Sequence, residues 1–182
     1  MDDANLSWVR LIHPVSAPIS QRFGANPSLY KIYGLAGHEG VDYACSVGTQ
    51  IVAAEDGVVW KAGSTNNPWG KRIILEHIHA RMRSIYYTVY AHMSEVYVTP
   101  GTFIKGGQII GKSGNTGNST GPHLHFCVAL PFENKGYKCP LPMGERWWHN
   151  PISCIVGPPD STRGEVPEHY CGNPMFFIWY EV

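Results

Sequence analysis

Glycine and proline punctuation sets the tightest limit on what this chain can fold into. Twenty glycines and fourteen prolines interrupt its 182 residues every few positions, so no long helix has room to grow. Short runs rich in β-branched and aromatic residues lie between the breaks: Ile51–Ala54, Val58–Ala62, Arg72–His77, Ile85–Met93 and His123–Leu130. The clearest is Ile85-Tyr86-Tyr87-Thr88-Val89-Tyr90-Ala91. Such spacing predicts an all-β sandwich or barrel, with helix only in pieces. A domain of this length buries roughly 70% of the surface its unfolded chain exposes, so its core is self-sufficient.

Charge and cysteine usage exclude several functions. Fourteen basic and fourteen acidic residues give zero formal net charge without a basic stripe, which argues against nucleic acid as a partner. The five cysteines, Cys45, Cys127, Cys139, Cys154 and Cys171, contain no C-x-x-C pair. Neither a disulfide framework nor a thiolate zinc site is indicated, although one bridge among the last three remains open. No apolar run is long enough to span a membrane. The opening MDDANLSWVRLIHP lacks an apolar signal core, so the expectation is a product made in the cytoplasm and exported by other means.

Gly48-Thr49-Gln50-Ile51 recurs as Gly101-Thr102-Phe103-Ile104, each followed by a glycine able to turn a hairpin. Two related β-units packed together would explain the echo, as would chance over four residues. From Pro131 the chain turns aromatic and proline-rich. Residues 157–168 read as a linker before the apolar run Phe176-Phe177-Ile178-Trp179-Tyr180, which is expected to close a sheet edge.

Three motifs fail in context. Gly106–Ser113 spells a P-loop, but Gly114-Asn115-Thr116-Gly117-Asn118-Ser119-Thr120-Gly121-Pro122 follows, and no helix grows through that. Gly117–Gly121 spells a nucleophile elbow, yet a strand rather than a helix comes next. His38-Glu39-Gly40-Val41-Asp42 begins like H-E-x-x-H, but Gly40 disfavours the helix that would make Glu39 the base. His38 and Asp42 can share a metal only if the chain bends, which Gly40 permits. His123-Leu124-His125 survives. On a strand both imidazoles share one face, so one can bind metal while the other stands at its open side. His77-Ile78-His79 has the same spelling but lacks the glycine-rich loop, whose backbone N–H groups are expected near the site.

These residues resemble the lysostaphin-type, or LytM-type, zinc endopeptidases of peptidoglycan from about Arg22 to Ile155. The resemblance rests on three segments in order. The first is His38-x-Gly40-Val41-Asp42-Tyr43, with Gly48-Thr49-x-Ile51-x-Ala53 and Gly57-x-Val59. The second is Tyr90-Ala91-His92-Met93, and the third runs from Gly114 through Pro122-His123-Leu124-His125-Phe126. Cys127 departs from the glutamate often found there. The resemblance implies an antiparallel β fold with a groove walled by loops, a sandwich and barrel-like hybrid whose duplicated β motif would account for the echo. It assigns one zinc ion per chain to His38, Asp42 and His125, and catalytic roles to His92 and His123. His77 and His79 become strand residues, and Cys45 a packing residue. Ala25–Gly37 becomes one wall of the groove, with Tyr30 or Tyr33 as candidates to touch substrate.

The expected organisation is a lead-in over residues 1–21, the endopeptidase domain over 22–156 and an extension over 157–182. The implied activity is cleavage of peptide bonds in bacterial peptidoglycan, in cross-links or stem peptides, by a phage-type lysin or virion-associated hydrolase acting after release. The extension would then offer a contact for a phage structural partner. The competing readings are a non-catalytic module that regulates other wall hydrolases and a structural tail component.

Overall fold

The computed structural model describes residues 9–33, 35, 37–64, 68–79, 84–131 and 146–149. They form β1 (Ile19–Gln21), β2 (Val41–Tyr43), β3 (Gln50–Val52), β4 (Gly57–Gly63), β5 (Arg72–His79), β6 (Ser84–Ala91), β7 (Glu95–Val96), β8 (Phe103–Ile104), β9 (Ile109–Lys112), β10 (Leu124–Pro131) and β11 (Arg146–His149). Helix among them is one short piece, α1 (Pro27–Tyr30), continued by a 3-10 turn over Lys31–Tyr33. The large sheet runs β1-β2-β10-β6-β5-β4-β8, with β11 also on β10, and the small one runs β3-β9-β7. Every pairing is antiparallel, as the all-β expectation required. No described helix is long and apolar enough to cross a membrane.

Alternation along the central strands builds two apolar layers, one on each face of the large sheet. Ile73 and Leu75 of β5, Tyr86 and Tyr90 of β6, and Leu124, Phe126 and Val128 of β10 pack on one face with Ile51, Ile104 and Ile110. Ile74, Tyr87, Val89, Cys127 and Ala129 form the other layer, with Phe23, Trp69 and Ile85 against it. His77 shares the parity of Ile73 and Leu75, whereas His125 shares that of Cys127 and Ala129. The second layer floors the candidate site.

Residues 9–21, the described part of the expected lead-in, are built into this unit. Val9, Leu11 and Val15 join the main core, and β1 pairs with β2. The Gly48/Gly101 echo is structural: both glycines take positive φ, at 91° and 85°. The threonine after each donates its N–H three residues back, Thr49 to Ser46 and Thr102 to Thr99, both at 3.2 Å. Ile51 and Ile104 are then fully buried. The two units exchange partners, β3 pairing with β9 and β4 with β8. The P-loop spelling ends in β9, a strand. The extension over 157–182, its expected edge strand, Cys139, Cys154, Cys171 and His169 lie outside the described residues.

Candidate metal centre

Register brings the first pair of candidates together. Antiparallel pairing of β2 with β10 sets Asp42 opposite His125, and β6 on the other side of β10 sets Ala91 opposite His125. His92 follows directly. His38 sits just before β2, where its Nδ1 donates to the Arg22 carbonyl at 3.1 Å and leaves Nε2 facing inward. Gly40 is not among the positive-φ glycines. It lies in the bend expected between His38 and Asp42, and it has a second role: a Cβ there would lie 2.5 Å from the Phe126 carbonyl oxygen and 3.0 Å from His125 Cε1. Only glycine lets the His38–Asp42 segment press against β10 this closely.

Three ligand atoms converge. His38 Nε2 lies 2.9 Å from His125 Nδ1 and 3.2 Å from Asp42 Oδ1, and His125 Nδ1 lies 2.8 Å from that same oxygen. A tetrahedral zinc with bonds of about 2.0–2.2 Å holds its ligand atoms about 3.3–3.6 Å apart, so a small outward movement of the two imidazoles and one carboxylate would fit that ion. His38, Glu39 and His125 form a second grouping within 4.8 Å. It is looser, because Glu39 Oε1 lies 3.8 Å from Nε2 of His125, the nitrogen turned away from Asp42. The Asp42 triangle is the better site.

Burial alone would raise the Asp42 pKa, but hydrogen bonds from His125 and His38 outweigh it and hold the carboxyl well below its usual range. Burial opposes charge on His125, while its acidic neighbours, Asp42 and Glu39 among them, reverse that and leave its pKa raised. Burial pushes the Cys127 thiol up to about 11, so it stays protonated at neutral pH.

His92 and His123 flank this triangle, their ring centroids 4.7 Å apart. His92 Nδ1 donates to the Thr116 carbonyl at 2.7 Å, and His123 Nδ1 donates to the Gly121 carbonyl at 2.7 Å. Each ring therefore presents Nε2, and that of His123 is 3.7 Å from Asp42 Oδ1. Burial first, then the neighbouring His125, lowers the His92 pKa to about 4, so this imidazole is neutral at pH 7. His92 adopts a left-handed φ of 59°, a strained conformation for a non-glycine residue. Its backbone N–H is held by the Trp69 carbonyl at 2.9 Å. A Cβ on Gly114 would meet the His92 carbonyl oxygen at 2.6 Å, which explains a glycine there. The glycine-rich loop thus offers two backbone carbonyls to the site histidines.

Around this centre stand residues that the motifs did not mark. Trp69 packs 5.9 Å from the His125 ring and donates its indole N–H to Glu39 at 3.4 Å. Gly70 and Gly117 touch so closely that a Cβ on Gly70 would lie 2.5 Å from the Gly117 nitrogen, joining two loops into one wall. Tyr30 lies 5.3 Å from the His38 ring and accepts a hydrogen bond from Gln21 at 2.7 Å. Burial, then Glu39 and Asp42, pushes its hydroxyl up to about 12, so it remains a neutral donor. The side chains of Tyr33, His79 and His149 lie outside the described residues. Cys45 packs against the main core, and His13 bonds to the Tyr43 hydroxyl at 2.9 Å.

Residues 36–136, more than half of the chain, match the family model for peptidase family M23. Glycyl-glycine endopeptidase ALE-1 of Staphylococcus capitis is 39% identical over 124 residues, which cover 66% of this chain and 32% of that protein. Peptidoglycan DD-endopeptidase ShyA of Vibrio cholerae is 40% identical over 93 residues, covering 50% and 20% respectively. The chain thus spans a third or less of the length of these two relatives. Among solved structures, a zinc containing peptidase from Vibrio cholerae matches with a TM-score of 0.55 and 32% identity, over 67% of this chain and 37% of that one. With its antiparallel fold and its His-Asp-His triangle, the chain belongs to peptidase family M23, a family of zinc metalloenzymes.

Proposed function

We propose that this domain hydrolyses peptide bonds in bacterial peptidoglycan, with zinc held by His38, Asp42 and His125 and with His92 and His123 moving protons. One observation carries the reading: two neutral-capable imidazoles, each pinned at Nδ1 by a carbonyl, border a compact His-Asp-His triangle. Three protein ligands leave a tetrahedral ion one open position, the mark of a catalytic rather than a structural zinc site. When bound there, zinc supplies Lewis acidity toward a water molecule and a scissile carbonyl. His92 and His123 do the remaining work. With Nδ1–H donated to a backbone carbonyl, each Nε2 carries a lone pair and can accept the proton of the attacking water. The ring so protonated becomes a donor, able to hydrogen-bond the developing oxyanion or to protonate the departing amine. Convergence of all five residues favours this reading over a non-catalytic module.

The named relatives include a glycyl-glycine endopeptidase and a peptidoglycan DD-endopeptidase, so the substrate class rests on peptidoglycan peptides rather than on one bond. Incubation with purified peptidoglycan tests the proposal. New amino groups should accumulate without new reducing sugars, and a chelator should stop the release. Reducing ends without amines would replace the reaction class with glycoside cleavage.

A further inference from the structure

Behind His125, on the side away from the triangle, lies a buried carboxylate that the zinc-binding motif leaves unassigned. Glu39 is buried, and its Oε2 has no hydrogen-bond partner among the described residues. Its Oε1 accepts the Trp69 indole N–H and lies 3.8 Å from His125 Nε2. Cys127 Sγ stands closer to the same nitrogen, at 2.8 Å. The Glu39–Gly40 backbone is pressed against this edge of the ring, as the forbidden Cβ of Gly40 demonstrates. A buried carboxyl group with one oxygen left without a partner costs stability, so its presence asks for a function.

Chemistry supplies one. A neutral imidazole that offers Nδ1 to a cation must carry its proton on Nε2, and ligating histidines usually give that N–H to a carboxylate or carbonyl. Here Nε2 faces a thiol, a weak acceptor, at 2.8 Å and, at 3.8 Å, the Glu39 oxygen that Trp69 holds in place. We propose that Glu39 is a positioning residue for His125: its carboxylate, oriented by Trp69, fixes the Nε2–H tautomer and turns Nδ1 toward His38 and Asp42. The inference rests on the ligand set proposed above. The carboxyl group enters from the segment leading into β2, the strand that pairs with β10.

Zinc affinity of the full chain, measured by competition with a chromophoric chelator, tests this together with cobalt(II) absorption spectra. Glu39→Gln keeps the shape and should weaken zinc about ten- to a hundredfold. The loaded variant should retain the wild-type cobalt spectrum, because the ligand set is unchanged. Its melting temperature in chelator should stay level or rise, since a buried carboxyl oxygen without a partner has gone; a merely structural role predicts a fall. Cys127→Ala should weaken zinc less than Glu39→Gln does. Unchanged affinity in Glu39→Gln, a larger loss in Cys127→Ala, or a cobalt spectrum altered by Glu39→Gln would each overturn the proposal, the last by making Glu39 a direct ligand. Zinc retained by His125→Ala would instead overturn the ligand set, which keeps the two failures distinguishable.

Discussion

Two segments of the same H-x-H pattern, His77-Ile78-His79 and His123-Leu124-His125, flank the same strand and meet opposite fates. β5 and β10 both pair with β6, yet His77 points into the main core and His125 into the layer that floors the site. His77 donates Nδ1–H to the Asp56 carbonyl at 2.8 Å, and its Nε2 lies 2.7 Å from the Thr88 hydroxyl. Its ring stacks on Tyr86 with centroids 4.7 Å apart. Both nitrogens are occupied by protein, so no lone pair is left for an ion. His125 has one nitrogen in a cluster of ligand atoms and the other against Glu39 and Cys127. A histidine becomes a metal ligand through the partners on its face of the sheet, not through the residue two places away.

The sharpest way to break this contrast lies in the catalytic flank. His92→Ala and His123→Ala should keep zinc while losing about two to four orders of magnitude in peptidoglycan cleavage, the usual contribution of general acid–base catalysis. Metal analysis beside an amine-release assay checks both halves. Either variant losing its zinc would move that residue into the ligand set.

For His77 the expected loss is of stability. His77→Ala removes a buried ring and strands the Thr88 and Asp56 groups that bonded it, which should cost about 2–4 kcal/mol. Urea denaturation measures it, and a loss below about 0.5 kcal/mol would mean the core readily absorbs the change.

Acid should expose the same burial. Desolvation lowers the His77 pKa from 6.5 to about 4, so the unfolded chain binds its proton first. Stability from this group is present above pH 6.5 and is lost as pH falls toward 4, by up to about 3 kcal/mol. Glu55, raised to about 7 by burial and Asp56, acts with opposite sign in that window, its contribution fading as pH rises from 4.5 to 7. The difference between wild type and His77→Gln isolates the histidine. That difference should shrink on acidification, and a gap independent of pH would contradict a neutral buried His77.

A smaller effect is expected at Gly40. Alanine there collides with the Phe126 carbonyl oxygen at 2.5 Å and crowds His125. A cost of about 1–3 kcal/mol should be accompanied by weaker zinc binding, because the displaced neighbour is the ligand strand. Urea melts with chelator competition separate the two effects.

Much of this architecture is legible in the amino-acid sequence. β4, β5, β6 and β10 announce themselves through β-branched and aromatic runs, and the folded strands differ from those runs by only a few residues at their ends. β1, β2, β7, β8 and β9 hold two to four residues each, too few for a local pattern, and are strands only because distant partners pair with them. The five site residues stand in recognisable segments, and the fold brings all five together. The carbonyls of Thr116 and Gly121 were not foreseeable, because backbone groups leave no mark in a sequence. The roles of Glu39 and Trp69 are hidden for a related reason. Their relation to His125 exists only across the β2–β10 pairing and the Gly70–Gly117 contact.

The central claim is that face and partners, not spelling, choose the metal-binding histidine. Zinc content of His125→Ala and His77→Ala, each purified without added metal and shown to be folded, measures this most directly. The account predicts about one zinc per chain in His77→Ala, as in wild type, and essentially none in His125→Ala, where two protein ligands would remain. A folded His77→Ala without zinc beside a His125→Ala that retains it would contradict the account.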